Sequence, residues 1–374
     1  MLSFWESDHF LNYDHIVIGG GIVGLSTAAS IKERAPLKRV LVLEKGVFPS
    51  GASTKNAGFS CFGSLTEILA DLATMSSKEV VSLVELRWKG LEVLQKRLGV
   101  SAIDYHQLGG YELLGQDQLP ALERIDEVNQ LLYPLFNQNV YELKTEKKKD
   151  FGFVGEQVKE MVFNPLEGQI HTGKMMKSLQ AYAAQLGVEI LTGVEVSSVN
   201  EEPDYVQVAV NEELKFRSSN VAICTNAFSQ KFIPDLPLAP GRGVVLVTKP
   251  VKGLKFQGTF HYDEGYYYFR NFEDRVIFGG GRNLAKDEEE TKEFGINQRI
   301  LDKLKTDLNE MILPKHQVEI EQVWSGIMAF GENKRPIMEK HSERVFLGLR
   351  LGGMGVAIGS KMGLDLAQMM LASE

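Results

Sequence analysis

The sequence predicts an α/β protein in which a parallel-stranded, dinucleotide-type domain is interleaved with a second α+β domain built on a mostly antiparallel sheet. Three observations lead there. Residues 14–46, DHIVIGGGIVGLSTAASIKERAPLKRVLVLEKG, run strand, glycine turn, helix, strand. Residues 241–334 read as short strands, clearest in HYDEGYYYFRNFEDRVIFGGGR at 261–282, two strands around a polar turn. The chain has 374 residues, and roughly 100–200 residues per domain gives two.

The first unit has the Rossmann fingerprint. HIVIG is an apolar strand, and Gly19, Gly21 and Gly24 complete G-x-G-x-x-G. The helix that follows places Val23, Ala28 and Ile31 at helical spacing, and RVLVLEK ends a second strand at Glu44. The first glycine permits the turn, the second lets backbone approach a pyrophosphate, and the third lets helix and strand pack. The helix start at Ile22 and Val23 offers N–H groups and a positive dipole end to phosphates. Glu44, with Lys45 beside it, can accept hydrogen bonds from ribose hydroxyls. No second such unit occurs; GGGRNL at 279–284 lacks the spacing. One dinucleotide is expected, and the fingerprint alone leaves NAD and FAD open.

Next comes GASTKNAGFSCFGS, 51–64, a run of small residues ending in apolar Phe59, Cys61 and Phe62. Small residues let backbone lie close to a flat ligand. Ser53 and Thr54 can direct hydroxyls toward phosphates, and Asn56 can bond backbone or ligand.

Seven motifs in order resemble the D-amino-acid oxidase superfamily of flavoproteins, which includes glycine oxidase, sarcosine oxidase and γ-glutamylputrescine oxidase. They are the fingerprint with Glu44; GASTKNAG; EGQIHTGKMMKSLQAYAAQLGVEILTGVEV, 167–196; VAICTNAF, 221–228; PGRGVVLV, 240–247; WSGIMAFGENKRPIME, 324–339; and LRLGGMGVAIGSKMGLDLAQMM, 349–370. The resemblance implies non-covalent FAD. Ala57 and Gly58 would lie beside the ring and pyrophosphate, Val196, Thr225 and Asn226 along the cofactor, and Gly352, Gly353, Met354, Gly355 and Val356 at the ring's pyrimidine end. A helix opening near Gly355 would there stabilise negative charge on the reduced ring. Covalent members use a Cys after W-x-G or a His near the small-residue stretch; residues 324–345 hold no Cys, and Lys55-Asn56 stands at the second position.

The domain boundaries read as 1–98, 160–240 and 335–374 for FAD, and 99–159 and 241–334 for substrate. The helix 78–99 carries Val80, Val84, Trp88, Leu91, Leu94 and Leu98 at three- and four-residue spacing. IDYH and GYELL read as strands, helices are expected near 118–134 and 296–312, and KDEEETKE, 286–293, reads as a solvated turn.

In the substrate half, alternation places Tyr266 and Tyr268 on one face and Tyr267 on the other. The resemblance puts Tyr266 and Arg282 in the pocket. Where glycine-oxidase-type enzymes carry a carboxylate-binding Arg after W-x-G, this chain has Met328. Either the substrate is an amine without an α-carboxylate, or another Arg replaces it, Arg282 and Arg350 being the candidates. The FWES and IHTG segments lean toward the amine branch. The expected reaction is oxidation of a C–N bond by hydride transfer to flavin N5, followed by imine hydrolysis, with no obligatory general base; His171 and His261 read as structural. Sarcosine oxidases activate oxygen with a Lys where this chain has Ile277, so the acceptor is O2 or another carrier. A flavin-fold binding protein without turnover and an NAD-dependent dehydrogenase are the alternatives.

Composition narrows the partners. Forty-one Lys and Arg against 49 Asp and Glu give a net charge of −8 with no basic run, which argues against nucleic acid. Two cysteines, Cys61 and Cys224, offer no disulfide framework or metal spacing. No window is apolar enough for a membrane span, and the acidic N-terminus is unlike a signal peptide, so a cytoplasmic location is expected.

Overall fold

The computed structural model describes residues 1–153, 157–211 and 214–373. Two eight-stranded sheets organise it. The first runs Ile337–Lys340, Val345–Leu349, Leu214–Ile223, Asn12–Ile18, Val40–Glu44 and Glu189–Thr192, with Val206–Val210 and Val196–Glu201 branching from the long strand. Pairing across its centre is parallel: Ile16 faces Val221 on one side and Leu41 on the other. Such strands are covered on both faces and carry unbroken apolar runs, as VLVLE does; all five of its residues are buried.

Helices pack on one face of this sheet, and Ser77–Leu98 packs on them in turn. Ile22–Arg34 packs against the last helix, Gly355–Ala372, whose Gly359 and Gly363 lie against Ile22 and Ser26. Ser77–Leu98 crosses the last helix at Gly90, against the Ala357 carbonyl. Ser76 and Glu79 form a capping box at its start, and Gly99, at φ 80°, ends it. Val80, Val84, Leu91 and Leu94 are buried at the expected spacing.

The second sheet runs Ile320–Phe330, Ala239–Thr248, Arg275–Gly280, Tyr267–Phe272, Thr259–Tyr262, Gly110–Leu114, Glu160–Asn164 and Glu142–Leu143. It is antiparallel except where Thr259–Tyr262 meets Gly110–Leu114. Its outer face is a phenylalanine-rich core: Phe260 and Phe269 stack at 4.7 Å, and Phe278 and Leu246 continue the layer under helix Gln298–Asp307. Its inner face turns toward the first domain.

The structure revises four expectations. Residues 160–164 pair with Gly110–Leu114, so that strand belongs to the second sheet and the first-domain segment starts after it. IDYH is not a strand; Ser101–Asp104 is a turn with Asp104 at φ 52°, and only His106 forms a bridge, to Gln169. The segment near 118–134 divides into a 3-10 stretch, Gln116–Arg124, and a helix, Ile125–Phe136. Within 286–293, Glu289 is fully buried and paired with Arg242 at 2.8 Å, so the turn is anchored rather than simply solvated.

Gly90→Ala places a methyl group against the Ala357 carbonyl. It is expected to cost about 1–3 kcal/mol of stability as an overpacked helix crossing, seen as a lower denaturation midpoint at unchanged slope.

Candidate functional site

A continuous cavity of about 810 Å³ runs from the end of the Val40–Glu44 strand to the inner face of the second sheet. Its first end is built by the fingerprint. Gly19 has φ +105°, and a Cβ there would stand 2.8 Å from the Cys224 carbonyl oxygen, so the turn admits only glycine. Gly21 lines the cavity and opens the helix Ile22–Arg34; a Cβ on it would stand 2.9 Å from Ser53 Oγ. Gly24 does not line the cavity: its Cα lies against the Gly19 carbonyl, the close helix–strand contact that the third glycine allows. Glu44 Oε2 accepts Gly20 N–H at 2.9 Å, while Oε1 accepts Gly46 N–H at 2.9 Å and Ser50 Oγ at 3.1 Å. These bonds fix the carboxylate at the strand end. Beside it Lys45 and Lys231 share Glu195 at 3.1 and 2.9 Å, and Lys231 also donates to the Val196 carbonyl.

The small-residue segment crosses the middle. Ser53 Oγ accepts Ile22 N–H at 3.0 Å. Thr54 turns away from the cavity, donating to the Pro49 carbonyl at 2.7 Å. Asn56 holds the segment's own shape: Nδ2 donates to Ser53 O at 2.9 Å, and Oδ1 accepts Gly58 N–H at 2.9 Å and Thr172 Oγ1 at 2.9 Å. Gly58, at φ +79°, lies behind the wall against Ile170. Trp324 Nε1 donates to Lys55 O at 2.9 Å, and buried Arg270 donates to the carbonyls of Ala57 and Ile170. Lys55 itself lines the cavity and makes no ion pair among the described residues.

At the far end, Gly352 and Gly353 take φ +56° and +85°, and the helix Gly355–Ala372 opens onto the cavity with Met354 and Val356 in its wall. Thr225 and Asn226 complete this wall; Asn226 Oδ1 accepts Arg350 N–H at 3.0 Å.

The inner face of the second sheet forms the roof. Register places His261 opposite Tyr268, Tyr268 opposite Gly279, Gly279 opposite Val245 and Val245 opposite Trp324. Gly243 and Gly326 pair in the neighbouring row on the same face and leave it low. Phe59 stacks edge-on against both His261, at 5.1 Å, and Tyr268, at 5.6 Å. Burial pushes the Tyr268 hydroxyl up to about 12, so it remains a neutral donor. Tyr266 lies just outside the strand, 43% exposed at the mouth, and Tyr267 packs on the other face, stacked on Tyr262 at 4.7 Å.

The two candidate arginines differ sharply. Arg350 spends its guanidinium on the structure: Nη1 donates to Pro237 O at 2.8 Å, Nε and Nη2 to Arg335 O at 3.1 and 2.9 Å, and Nη2 to Asn333 Oδ1 at 3.1 Å. Arg282 is half-buried in the cavity wall, lies over the Phe330 ring at 4.1 Å, and has no hydrogen bond or ion pair among the described residues. Met328 lines the same cavity, its Cε 3.0 Å from where a Cβ on Gly243 would lie.

Sequence reasoning reads His261 as structural, and the structure adds that it stands in the cavity wall. It is 5% exposed, lines the cavity and lies 3.0 Å from Glu167 Oε2, a carboxylate 1% exposed. Carrying alternation from Tyr268 across the hairpin would have placed it on the cavity face. His171 does cap a helix, accepting Lys174 N–H at 3.2 Å. Burial opposes charge on His261, but Glu167, with Glu67 and Glu112, holds it up to about 9. Because its ordinary value is 6.5, the stabilisation it brings is complete below pH 6.5 and lost as pH rises through about 9. The melting temperature is expected to fall across that window, and His261→Gln to lose most of that dependence. Separately, Gly21→Ala is expected to fold while retaining much less bound dinucleotide, read as the absorbance ratio of the purified protein.

Residues 14–369 match the family DAO, FAD dependent oxidoreductase. A D-amino acid dehydrogenase of Helicobacter pylori is 23% identical, the match covering 95% of this chain and 94% of that protein. The probable oxidoreductase OrdL of Haemophilus influenzae is 21% identical over 96% of this chain and 83% of its own length. Among solved structures, glycine oxidase from Geobacillus kaustophilus superposes with a TM-score of 0.78 at 19% identity, covering 96% and 95% of the two chains. L-proline dehydrogenase from P. horikoshii gives 0.77 at 19%, covering 97% and 94%. The cavity suits FAD: a glycine cradle at a helix N-terminus for the pyrophosphate, a fixed carboxylate for the ribose, and a low, glycine-floored roof for a flat ring. This chain belongs to the DAO family of FAD-dependent oxidoreductases, which sets the NAD-dependent alternative aside.

Proposed function

We propose that the chain oxidises the C–N bond of a small amine or amino acid that carries an acidic group, and that Arg282 receives that group. The observation that carries this reading is the contrast between the two arginines. Arg350 has its donors committed to carbonyls, whereas Arg282 faces the cavity with its donors free. Burial lowers the pKa of Arg282 from its ordinary value without discharging it, so the cavity wall holds a desolvated cation. A carboxylate accepts two of its N–H groups in one plane.

FAD, when bound, accepts a hydride. The protein's part is to orient the amine and keep water away. Phe59, Tyr268 and Phe330 supply apolar walls, and Tyr266 stands at the mouth. Lys334, which also lines the cavity, is tied to Asp71 at 2.5 Å. The helix Gly355–Ala372 opens onto the cavity, where its positive end would stabilise negative charge on a bound flavin. Both thiols in the wall stay protonated: burial pushes Cys224 up to about 12, and burial with Glu167 and Glu67 holds Cys61 well above the thiol range. That supports non-covalent attachment of FAD.

The test is the visible flavin spectrum, followed anaerobically as amines and amino acids are added. Carboxylate-bearing amines are expected to bleach it at lower concentration than their neutral amides. Arg282→Met is expected to weaken the apparent affinity for the acidic substrates roughly 10–100-fold, the size of a lost charged hydrogen bond, and to change the limiting rate less. Arg350→Met is expected to lower the melting temperature instead. Equal bleaching by acid and amide would remove Arg282 from the substrate's path. Acid precipitation is expected to release all the flavin into the supernatant.

A further inference from the structure

The cavity wall is rich in cations, and most of them are spent on the protein itself. Lys334 pairs with Asp71, His261 pairs with Glu167, and Arg350 donates to carbonyls. Lys45 and Lys231 share Glu195, and Lys292 donates to Gln230. Lys55 and Arg282 remain. Both line the cavity, both are half-buried, and neither has a hydrogen bond or ion pair among the described residues.

The second sheet fixes where these two side chains run. In the antiparallel pair Ala239–Thr248 and Ile320–Phe330, Gly241 faces Met328 and Gly243 faces Gly326. Gly241 and Gly326 are therefore diagonal neighbours on one face, about 7–8 Å apart. A Cβ on Gly326 would stand 2.8 Å from Lys55 Cβ, and a Cβ on Gly241 would stand 3.5 Å from Arg282 Cδ. The two cations thus share one stretch of wall. Lys55 also leaves its segment on the side away from the dinucleotide cradle. Ser53 Oγ meets Ile22 N–H of the fingerprint helix, whereas Lys55 O accepts Trp324 Nε1 and its Cβ rests over Gly326.

Two like charges on one partly desolvated wall repel each other, and each has given up hydration without gaining a partner. The carboxylates of the wall do not answer them. Glu67 accepts Ser64 N–H at 2.9 Å as a helix cap, Glu264 is exposed at the hairpin tip, and Glu44 and Glu195 are held by their own partners. A ligand with one carboxylate leaves one positive charge uncompensated. A ligand with two compensates both: a guanidinium accepts one carboxylate in its plane, and an ammonium takes the other as a point charge. Met328, opposite Gly241, lines the cavity beside them with an apolar side chain, which suits the short carbon chain joining two carboxylates.

We infer that the substrate is an amino dicarboxylate, a small amine carrying two acidic groups, and that Lys55 receives the acidic group that Arg282 does not. The inference rests on the amine reading above and narrows its substrate class. Lys55 then acts as a specificity residue, separating diacids from amino acids with one carboxylate.

Equilibrium binding to the FAD-loaded protein tests this without turnover. Succinate, glutarate and adipate carry two carboxylates and no amine, and their binding is read from the perturbation of the oxidised flavin spectrum. At least one of them is expected to bind roughly 10–100-fold more tightly than the monocarboxylate of equal length, butyrate, pentanoate or hexanoate. Lys55→Met and Arg282→Met are each expected to abolish that advantage, with FAD content and melting temperature close to wild type. In anaerobic flavin reduction, aspartate or glutamate, in the D or the L form, is expected to bleach the flavin at lower concentration than its side-chain amide. If no dicarboxylate outbinds its monocarboxylate, or if Lys55→Met keeps the advantage, the inference is overturned. It is overturned too if Lys55→Met folds but purifies without FAD, since Lys55 then serves the dinucleotide. If amino acids with one carboxylate bleach the flavin while dicarboxylates show no advantage, the amine reading stands and only the diacid class falls. If no amine bleaches it, the amine reading itself falls, and this substrate class with it.

Discussion

The seating of Gly51–Gly58 between the two sheets is the constraint on which the rest of the structure depends. This segment must lie close enough to both domains to wall a narrow cavity, so it can carry almost no side-chain bulk. It therefore cannot hold itself in place by apolar burial. Other residues reach in to hold it: Ser53 meets Ile22 N–H on the first domain, while Trp324 and Arg270 donate from the second sheet to Lys55 O and Ala57 O. Arg270 is the strongest of these. Burial lowers its pKa to about 10, still charged at neutral pH, and its donors reach three backbone carbonyls. A buried charge paired only with carbonyl dipoles is costly to leave unpartnered, so the segment and the sheet are obliged to stay together.

From that constraint the division of labour follows. The first domain handles the dinucleotide with backbone: glycine turns, a helix start and one carboxylate fixed by three neighbours. The second domain contributes side chains from the inner face of a sheet, which lines the cavity, while its outer face is a packed phenylalanine layer. Rigid packing on the outside holds the inner side chains in register, as a binding site on strands requires. His261, Tyr268 and Phe59 form one contiguous group because three separate chain segments meet there.

Charge is distributed with the same economy. Arg242 and Glu289 pair away from solvent and fasten the 286–293 turn beside Arg282, so an acidic run that looks merely soluble supports the mouth of the cavity. Arg350 clamps the loop containing Asn333 and Arg335. Arg282 alone of the two candidate arginines is left for a ligand. No helix among the described residues is long and apolar enough to cross a membrane.

The sequence by itself determined the dinucleotide half. Glycine spacing, an apolar strand and an acid at a strand end are local features, and each has a local physical reason that survives in any tertiary setting. It also carried the family, because seven short motifs kept their order. Only the tertiary structure decided the substrate half. Arg282 and Arg350 are equivalent as letters, and what separates them is whether carbonyls 15 to 113 residues away in sequence reach the guanidinium. His261 looked like an isolated histidine because its partner, Glu167, is 94 residues distant, and its cavity-facing position depends on strand register across a hairpin. The strand 160–164 joins the second sheet, beside Gly110–Leu114, for the same reason: strand pairing is a long-range choice, which local pattern does not encode.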